Sequence, residues 1–239
     1  MDLGLNDAVV LVVGGSGYIG SEIARQFSAE GAQVVLAARG EEKLAQVAAS
    51  VGGKVATRVM DTASEDSVAT ALASVVGEYG HLDVVILSAA PAAQTLDPNR
   101  SSDPDQVMKA FEGKSMGYLR VAVAALPSLV GQGFGRIIFI NGQNALITGS
   151  VAATVRNGAV QAIAKNLADS AAASGVTVNV VNPGVVSQAG GPAPQRGGVG
   201  GTTPEQVAAT VVFLASRPAA GISGESITIG HRLLGIMSF

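Results

Sequence analysis

The sequence has no cysteine, no tryptophan and only two histidines, and aromatic residues make up 4% of the chain. The absence of cysteine excludes disulfide bonds and thiolate metal sites. Two isolated histidines form no cluster that would support metal catalysis, so we expect no metal site. The net charge is −3 and no basic run occurs, which makes nucleic acid and anionic membrane surfaces poor candidates as partners.

Long apolar segments are also missing. No stretch of about 18 apolar residues occurs, and the longest candidate, residues 121–126, stops at Pro127. The first four residues lack the basic region of a signal peptide, and the apolar run behind them has only the length of a strand. We therefore expect a soluble cytoplasmic protein with no membrane segment.

Hydrophobic residues are abundant, at 48% of the 239 residues, and they form strand-length runs that alternate with helical patterns. The predicted strands are residues 8–13, 33–38, 55–60, 82–87, 136–140, 176–181 and 226–229. A helical pattern begins at residue 21, and further helices are predicted at 41–51, 64–79, 104–130, 159–173 and 204–216. Such alternation predicts one α/β domain over residues 1–239, with a doubly wound parallel sheet of seven strands and helices on both faces.

Residues 184–203 interrupt this alternation and are rich in glycine and proline. A loop this long in a compact domain is typical of a lid over a site or of a disordered segment. Because the loop follows the carboxyl end of a strand, where doubly wound folds bind ligands, we favour a lid.

Glycines at positions 14, 17 and 20 lie between the first predicted strand and the first helical pattern. A glycine-rich turn at a helix N-terminus lets backbone N–H groups approach a phosphate, and the helix dipole favours the negative charge. The alternative is a plain tight turn, but the position at the start of a strand–turn–helix unit favours phosphate binding. The residues expected to contact a cofactor here are Gly14, Ser16, Gly17, Tyr18, Ile19 and Gly20.

Four further motifs, together with this turn, resemble the short-chain dehydrogenase/reductase family over essentially the whole chain. They are Ala37-Ala38-Arg39, Met60-Asp61, Asn182-Pro183-Gly184 and Ile222-Ser223-Gly224-Glu225. The resemblance implies a Rossmann fold, a nicotinamide cofactor, a small-molecule substrate and a homodimer or homotetramer. It also implies that Ala89, Pro183 and Gly184 lie against the cofactor.

Arg39 determines which cofactor we expect. An acidic residue at the end of the second strand would bind a ribose hydroxyl, whereas an arginine pairs with the 2′-phosphate. NADP(H) is therefore expected, with a solvated loop arginine as the alternative interpretation. Asp61 corresponds to the family acid that meets the adenine amino group, and an ordinary helix-capping aspartate is its alternative.

The catalytic positions of the family are not matched. The family's catalytic serine corresponds to Gly142, or to Asn141 or Asn144 if the alignment shifts, and its tyrosine corresponds to Ala153. No tyrosine follows Tyr118, so a shift in alignment does not restore the proton donor. The family's lysine and asparagine are exchanged, which gives Asn157 and Lys114. The residues we assign to the catalytic site are Lys114, Asn157 and Asn141.

Lys114 has two interpretations. A buried ammonium beside a nicotinamide would stabilise a developing oxyanion, or would donate a proton once desolvation depresses its pKa. Alternatively, Lys114 is a surface lysine paired with Glu112 or with solvent. Tyr118, at i+4 on the same helical face, is either a displaced hydroxyl donor or a packing residue.

Two functions from different classes follow from these assignments. The first is an NADP(H)-dependent reductase of a carbonyl or activated alkene, with Lys114 or water as the proton donor. The second is a non-catalytic relative that binds the cofactor as a sensor or forms the silent subunit of a heteromeric reductase. A non-redox reaction such as elimination is a third and weaker alternative, because a fold does not fix a function.

Overall fold

A computed structural model describes residues 2–90, 95–191, 193, 196 and 200–231. The strands are β1 (Val9–Val13), β2 (Gln33–Ala38), β3 (Val55–Val59), β4 (Val84–Leu87), β5 (Gly135–Ile140), β6 (Val176–Pro183), β7 (Val185–Val186), β8 (Gly201–Thr202) and β9 (Ser226–Ile229). Seven of them form one parallel sheet in the order β3-β2-β1-β4-β5-β6-β9. The predicted seven-stranded parallel sheet is thus confirmed.

The helices that connect these strands are α1 (Tyr18–Ala29), α2 (Glu41–Val51), α3 (Glu65–Tyr79), α4 (Pro104–Phe111), α5 (Gly117–Gly131), α6 (Val151–Ser170) and α7 (Pro204–Ala215). One core cluster packs α3, α5 and α6 on one face of the sheet, and a second packs α1, α2 and α7 on the other. The strands between these layers are therefore buried on both faces, which explains why they are continuous runs rich in valine and isoleucine. None of the helices in the described part of the chain is long and apolar enough to cross a membrane.

Side-chain caps fix two helix starts where the sequence predicts them. The Thr203 hydroxyl accepts a hydrogen bond from the Gln206 backbone N–H, and the Gln206 side-chain oxygen accepts one from the Thr203 backbone N–H, which completes a capping box around Pro204. The Ser64 side chain accepts from the Ser67 backbone N–H at the start of α3. Both caps satisfy N–H groups that a helix leaves without partners.

The prediction of a single α-helix over residues 104–130 is wrong. One π-helical turn, Glu112–Met116, separates α4 from α5. Within this turn the Ser115 hydroxyl donates to the Arg156 carbonyl oxygen on α6 at 2.7 Å. The interruption thus depends on a contact 41 residues away in the sequence, and such turns often occur at functional sites.

The predicted start of α6 at residue 159 is also wrong, because the helix begins at Val151. The Ser150 side chain caps it by accepting from the Ala153 backbone N–H at 3.3 Å. The first two turns of α6 contain residues of weak helix propensity, namely Val151, Thr154 and Gly158. The Ser150 cap and tertiary packing override this weak propensity.

Residues 192, 194, 195 and 197–199 of the predicted lid lie outside the described residues, and the lid stays a prediction. At the base of this segment β7 pairs in parallel with β8. A Cβ at Gly184 would lie 1.9 Å from the Gly200 carbonyl oxygen, and one at Gly201 would lie 2.0 Å from that of Gly190. The two ends of the segment therefore approach each other through glycine backbones.

Candidate active site

A cavity of about 630 Å³ opens where the chain leaves the carboxyl ends of β1, β2 and β4. The strand order reverses between β1 and β4, since β2 and β3 follow on one side and β5, β6 and β9 on the other. Doubly wound folds bind their ligands in the crevice at such a reversal. Of the predicted cofactor residues, the cavity is lined by Gly14, Ser16, Gly17, Arg39, Asp61 and Ala89.

The glycine turn requires its glycines for steric reasons. Gly14 has a φ of +85°, and a Cβ there would lie 2.5 Å from the Ala89 backbone nitrogen. A Cβ at Gly20 would lie 2.3 Å from the Gly14 carbonyl oxygen. Side chains at these two positions would push the turn away from the strand and helix it joins, so the turn is closed tightly against β1 and β4.

The N-terminus of α1 faces this turn without a side-chain cap. Gly17 is the N-cap residue and makes no side-chain hydrogen bond, so the N–H groups of the first turn, Tyr18, Ile19 and Gly20, have no side-chain partner from it. These three residues do not line the cavity with Gly14 and Gly17, and the Tyr18 side chain is 51% exposed. An uncapped N-terminus beside a glycine turn fits a phosphate group.

Two cations lie together at the β2 side of the cavity. Arg39 and Lys43 both line it, and no described residue forms an ion pair with either of them. Cationic side chains without an acidic partner suit an anionic ligand. The residues present at this end of the cavity therefore fit an anionic group.

Asp61 lines the same cavity from the connection after β3. Its carboxylate accepts a hydrogen bond from the Ala63 backbone N–H at 3.0 Å, which shapes the turn. The cap of α3 is Ser64 and not Asp61, so the alternative interpretation of Asp61 as the helix cap is wrong.

Pro183 ends β6 and Gly184 follows it, and neither is among the residues that line this cavity. The Gly184 N–H donates to the Ile229 carbonyl oxygen at 2.9 Å, which joins the end of β6 to β9. Six of the predicted cofactor residues therefore line one cavity, whereas Tyr18, Ile19, Gly20, Pro183 and Gly184 do not.

The predicted catalytic residues form a chain of hydrogen bonds beside the cavity. Lys114 Nζ donates to Asn157 Oδ1 at 2.8 Å. Asn141 Nδ2 donates to the Asn157 carbonyl oxygen at 3.1 Å and to Asn182 Oδ1 at 3.0 Å. Asn182 Nδ2 continues to Ser226 Oγ at 2.8 Å. The chain thus links the π-helical turn, α6 and the ends of β5, β6 and β9.

Lys114 is in the protein interior, with 4% of its surface exposed. Glu112, its alternative partner, instead accepts a hydrogen bond from Arg120 at 2.5 Å, so the interpretation of Lys114 as a surface lysine is wrong. Desolvation, and secondarily the positive charge of Arg156, lowers the pKa of Lys114 to about 7. Its amine therefore exchanges a proton near neutral pH.

Tyr118 does not serve as a displaced hydroxyl donor. Its hydroxyl donates to the Ile140 carbonyl oxygen at 3.0 Å, and the ring is buried in the core. Burial raises the pKa of Tyr118 above its usual range, which further disfavours the phenolate. Of the two interpretations, the structure supports packing.

Comparison with known proteins identifies the family. Residues 8–192 match the short chain dehydrogenase model, which spans more than half of the chain. This chain belongs to the short chain dehydrogenase family. It is therefore a member of an oxidoreductase family whose enzymes use nicotinamide cofactors.

Several relatives align with nearly the full length of this chain. The short-chain reductase protein NovJ of Streptomyces niveus is 30% identical, over 93% of this chain and 92% of NovJ. The BbsC subunit of (2S)-[(R)-hydroxy(phenyl)methyl]succinyl-CoA dehydrogenase from Thauera aromatica is 29% identical, over 94% and 93%. The 3-oxoacyl-[acyl-carrier-protein] reductase FabG of Haemophilus influenzae is 28% identical, over 94% and 97%.

Solved structures share the fold. A short chain dehydrogenase from Bacillus anthracis superposes with a TM-score of 0.83 at 25% identity, over 94% of this chain and 95% of that one. L-Sorbose reductase from Gluconobacter frateurii, solved with NADPH and L-sorbose, gives 0.84 at 23% identity over 99% and 100%. The single-domain Rossmann architecture predicted from the sequence is thus confirmed.

Two further residues of the candidate site, Lys43 and Asn182, were not predicted from the sequence. Lys43 lines the cavity four residues after Arg39, in the first turn of the predicted helix 41–51, and this nearby cation is the signal that could have found it. Asn182 joins the hydrogen-bonded chain. It stands directly before Pro183, but nothing local in the sequence indicates that its side chain meets Asn141.

Proposed function

We propose that this member of the short chain dehydrogenase family is an NADP(H)-dependent reductase of a carbonyl or activated-alkene substrate. Asn157 stands at the family's lysine position and Lys114 at its asparagine position, and Lys114 or water takes over the proton donation of the family's tyrosine. The observation that carries the proposal is the buried hydrogen bond from Lys114 Nζ to Asn157 Oδ1. An ammonium kept in the interior at a cost in desolvation is typical of a functional site. Gly113, the preceding residue, lines the cofactor cavity.

The preference for NADP(H) rests on Arg39 and Lys43. Both line one end of the cavity and neither has an acidic partner among the described residues. A guanidinium and an ammonium together suit the doubly charged 2′-phosphate, whereas NAD(H) offers only ribose hydroxyls there.

NADP(H), when bound, supplies or accepts the hydride. The chain's own residues hold the dinucleotide at the glycine turn and hold a proton at Lys114 Nζ, whose pKa of about 7 suits general acid catalysis near neutral pH. Ala153 carries no proton to donate, so either Lys114 or water supplies it.

A second candidate is a non-catalytic subunit that binds the cofactor within a heteromeric reductase. Two observations favour it. Gly142 and Ala153 stand at the positions to which the family resemblance assigns the catalytic serine and tyrosine. In addition, one full-length relative, BbsC, is named as a subunit of a dehydrogenase.

The first experiment titrates NADPH and NADH by fluorescence against the wild type, Arg39→Ala and the control Arg25→Ala. Arg25 lies on α1 and pairs with Glu22 outside the cavity. We expect Arg39→Ala to weaken NADPH binding about tenfold, since a hydrogen bond to a charged group is lost, and to leave NADH binding unchanged. Equal losses for both cofactors would contradict the preference for NADP(H).

The second experiment measures NADPH oxidation with a panel of ketones, aldehydes and enones. We expect turnover by the purified chain alone, and a loss of about 100-fold or more in kcat for Lys114→Met. Tight NADPH binding without oxidation on any substrate would favour the non-catalytic subunit. Unchanged activity in Lys114→Met would exclude the proposed role of Lys114.

A further inference from the structure

We propose that Asn157 Nδ2 is the hydrogen-bond donor that holds the substrate's carbonyl oxygen, and that the substrate is an alkene conjugated to that carbonyl. This inference rests on the proposed reductase function and assigns it a substrate-contacting atom. Of the two proton donors that the proposed function allows, this inference selects water, and Lys114 becomes a positioning residue that acts on the substrate through Asn157.

The orientation of the Asn157 amide follows from its partner. In its protonated form Lys114 Nζ has only N–H donors, and the structure places Asn157 Oδ1 as its acceptor at 2.8 Å. The amide nitrogen consequently points away from Lys114. No described residue accepts a hydrogen bond from Asn157 Nδ2, although Asn157 is 97% buried, with 3% relative exposure.

The amide nitrogen faces space beside Gly142. A Cβ added at Gly142 would meet one atom of the described chain within 4 Å, and that atom is Asn157 Nδ2 at 3.8 Å. Gly142 is half-buried, so this space is open to solvent. Ala153, one helical turn before Asn157 on α6, adds only a methyl group. The residues around this space therefore leave room for a ligand atom and present one oriented N–H group to it.

The backbone of Asn157 is fixed as well. Its carbonyl oxygen accepts from Asn141 Nδ2 at 3.1 Å, and the carbonyl of the preceding Arg156 accepts from Ser115 Oγ at 2.7 Å. A donor whose side chain and backbone are both held is preorganised, which is the condition under which it stabilises developing negative charge.

The chemistry of an amide donor selects the substrate. An amide N–H stabilises an oxyanion but does not transfer a proton to it. A reduced nicotinamide, when bound, would supply hydride to the β-carbon of an enone. The alkene electron pair would then move through the carbonyl to its oxygen, where Asn157 Nδ2 would donate a hydrogen bond, and water would protonate the α-carbon and leave hydroxide. A simple ketone would instead need a proton on its strongly basic alkoxide oxygen. Enones therefore fit this site better than ketones.

The test uses 4-nitrophenol as a probe for the oxygen site, with the protein saturated with NADP⁺. At a pH where the free probe is half-ionised, we expect wild-type protein to bind it as the phenolate and to increase the phenolate absorbance. Asn157→Ala, and the isosteric Asn157→Asp, which keeps an acceptor for Lys114, should lose this increase and bind the probe about 10- to 100-fold more weakly.

Three controls separate the donor from a structural effect. Asn166→Ala removes an exposed amide of the same helix, which donates to the Ala162 carbonyl oxygen, and should leave probe binding unchanged. Lys114→Met should reduce the phenolate absorbance because the amide is no longer oriented, and Lys114→Arg, which keeps a cationic donor, should restore it in part. NADPH binding should stay normal in the Asn157 variants.

Probe binding by Asn157→Ala equal to that of the wild type would overturn the donor assignment, and so would a wild type that does not favour the phenolate. With an enone substrate, Asn157→Ala should lower kcat by about 10²- to 10³-fold. Faster turnover of simple ketones than of enones would overturn the substrate class. A phenolate response without any reductase turnover would contradict the proposed function and leave the donor assignment standing, so the two failures are distinguishable.

Discussion

The Lys114 side chain lies in the interior, and no carboxylate of the described residues forms an ion pair with it. Its hydrogen-bond partner is the neutral amide of Asn157, and a further cation, Arg156, lies close enough to lower its pKa. The Tyr118 ring lies 5.9 Å from Nζ, near the limit of a cation–π contact. The folded state therefore bears the cost of a poorly compensated charge whenever Lys114 is protonated.

This cost predicts a pH dependence of stability with a defined sign. The pKa of Lys114 falls from 10.5 to about 7 on folding, so the destabilisation is fully present below pH 7 and is relieved as the pH rises toward 10.5. We expect Lys114→Met to have a higher free energy of unfolding than the wild type. This gain should be largest at about pH 6 and smallest at about pH 9.5, and the two gains should differ by on the order of a few kcal/mol.

Urea unfolding of both proteins at these two pH values measures the difference. Loss of the hydrogen bond to Asn157 contributes at both pH values. The change of the stability difference with pH therefore reports on the charge of Lys114. Lys109→Met, at an exposed position on α4, should differ from the wild type in free energy of unfolding by the same amount at both pH values. A flat difference for Lys114→Met as well would show that the buried amine is not perturbed.

At the scale of elements, the glycine turn joins β1 to α1 through a backbone contact that excludes side chains. Gly20→Ala would place a Cβ 2.3 Å from the Gly14 carbonyl oxygen. We expect a loss of about 1–3 kcal/mol in the free energy of unfolding and weaker NADPH binding, because the turn must move out of the cavity wall. Chemical denaturation and NADPH fluorescence measure the two effects.

Gly77→Ala is the matched control for this change. Gly77 lies in α3 with no atom within 4 Å of an added Cβ, so alanine should gain up to about 1 kcal/mol from its higher helix propensity. If Gly20→Ala were as stable as this control and bound NADPH normally, the close backbone contact at Gly20 would not be required for folding or for cofactor binding.

The same elements explain what could be predicted from the sequence. The strands and the glycine turn depend on local patterns, namely apolar runs buried on both faces and glycines at fixed spacing, and their positions were confirmed to within a few residues. The break between α4 and α5 was missed because it depends on Ser115 reaching the Arg156 carbonyl on another helix. The family resemblance brought Lys114 and Asn157 into one site, but only the fold gives their hydrogen bond and its direction.

At the scale of the whole molecule, the layer formed by α3, α5 and α6 leaves large apolar side chains on its outer surface. Val151 and Val155 on α6 are 46% and 40% exposed, and Val123 and Val130 on α5 are 46% and 40% exposed. Val151 and Val155 are four residues apart, so they share one face of their helix. Contiguous exposed apolar surface is typical of an interface between subunits, so this layer is our candidate surface for the predicted oligomer.

We therefore expect the purified chain to form a dimer or tetramer, a multiple of its 23.8 kDa mass, and Val155→Glu to shift it toward the monomer. A carboxylate in a packed interface would lose its hydration without gaining a partner. Val59→Glu, at a 53% exposed position on the edge strand β3, is the control and should leave the assembly intact. Sedimentation velocity measures the oligomeric state. A wild-type chain that is monomeric at micromolar concentration would contradict the predicted homo-oligomer and favour the non-catalytic subunit of a heteromeric reductase.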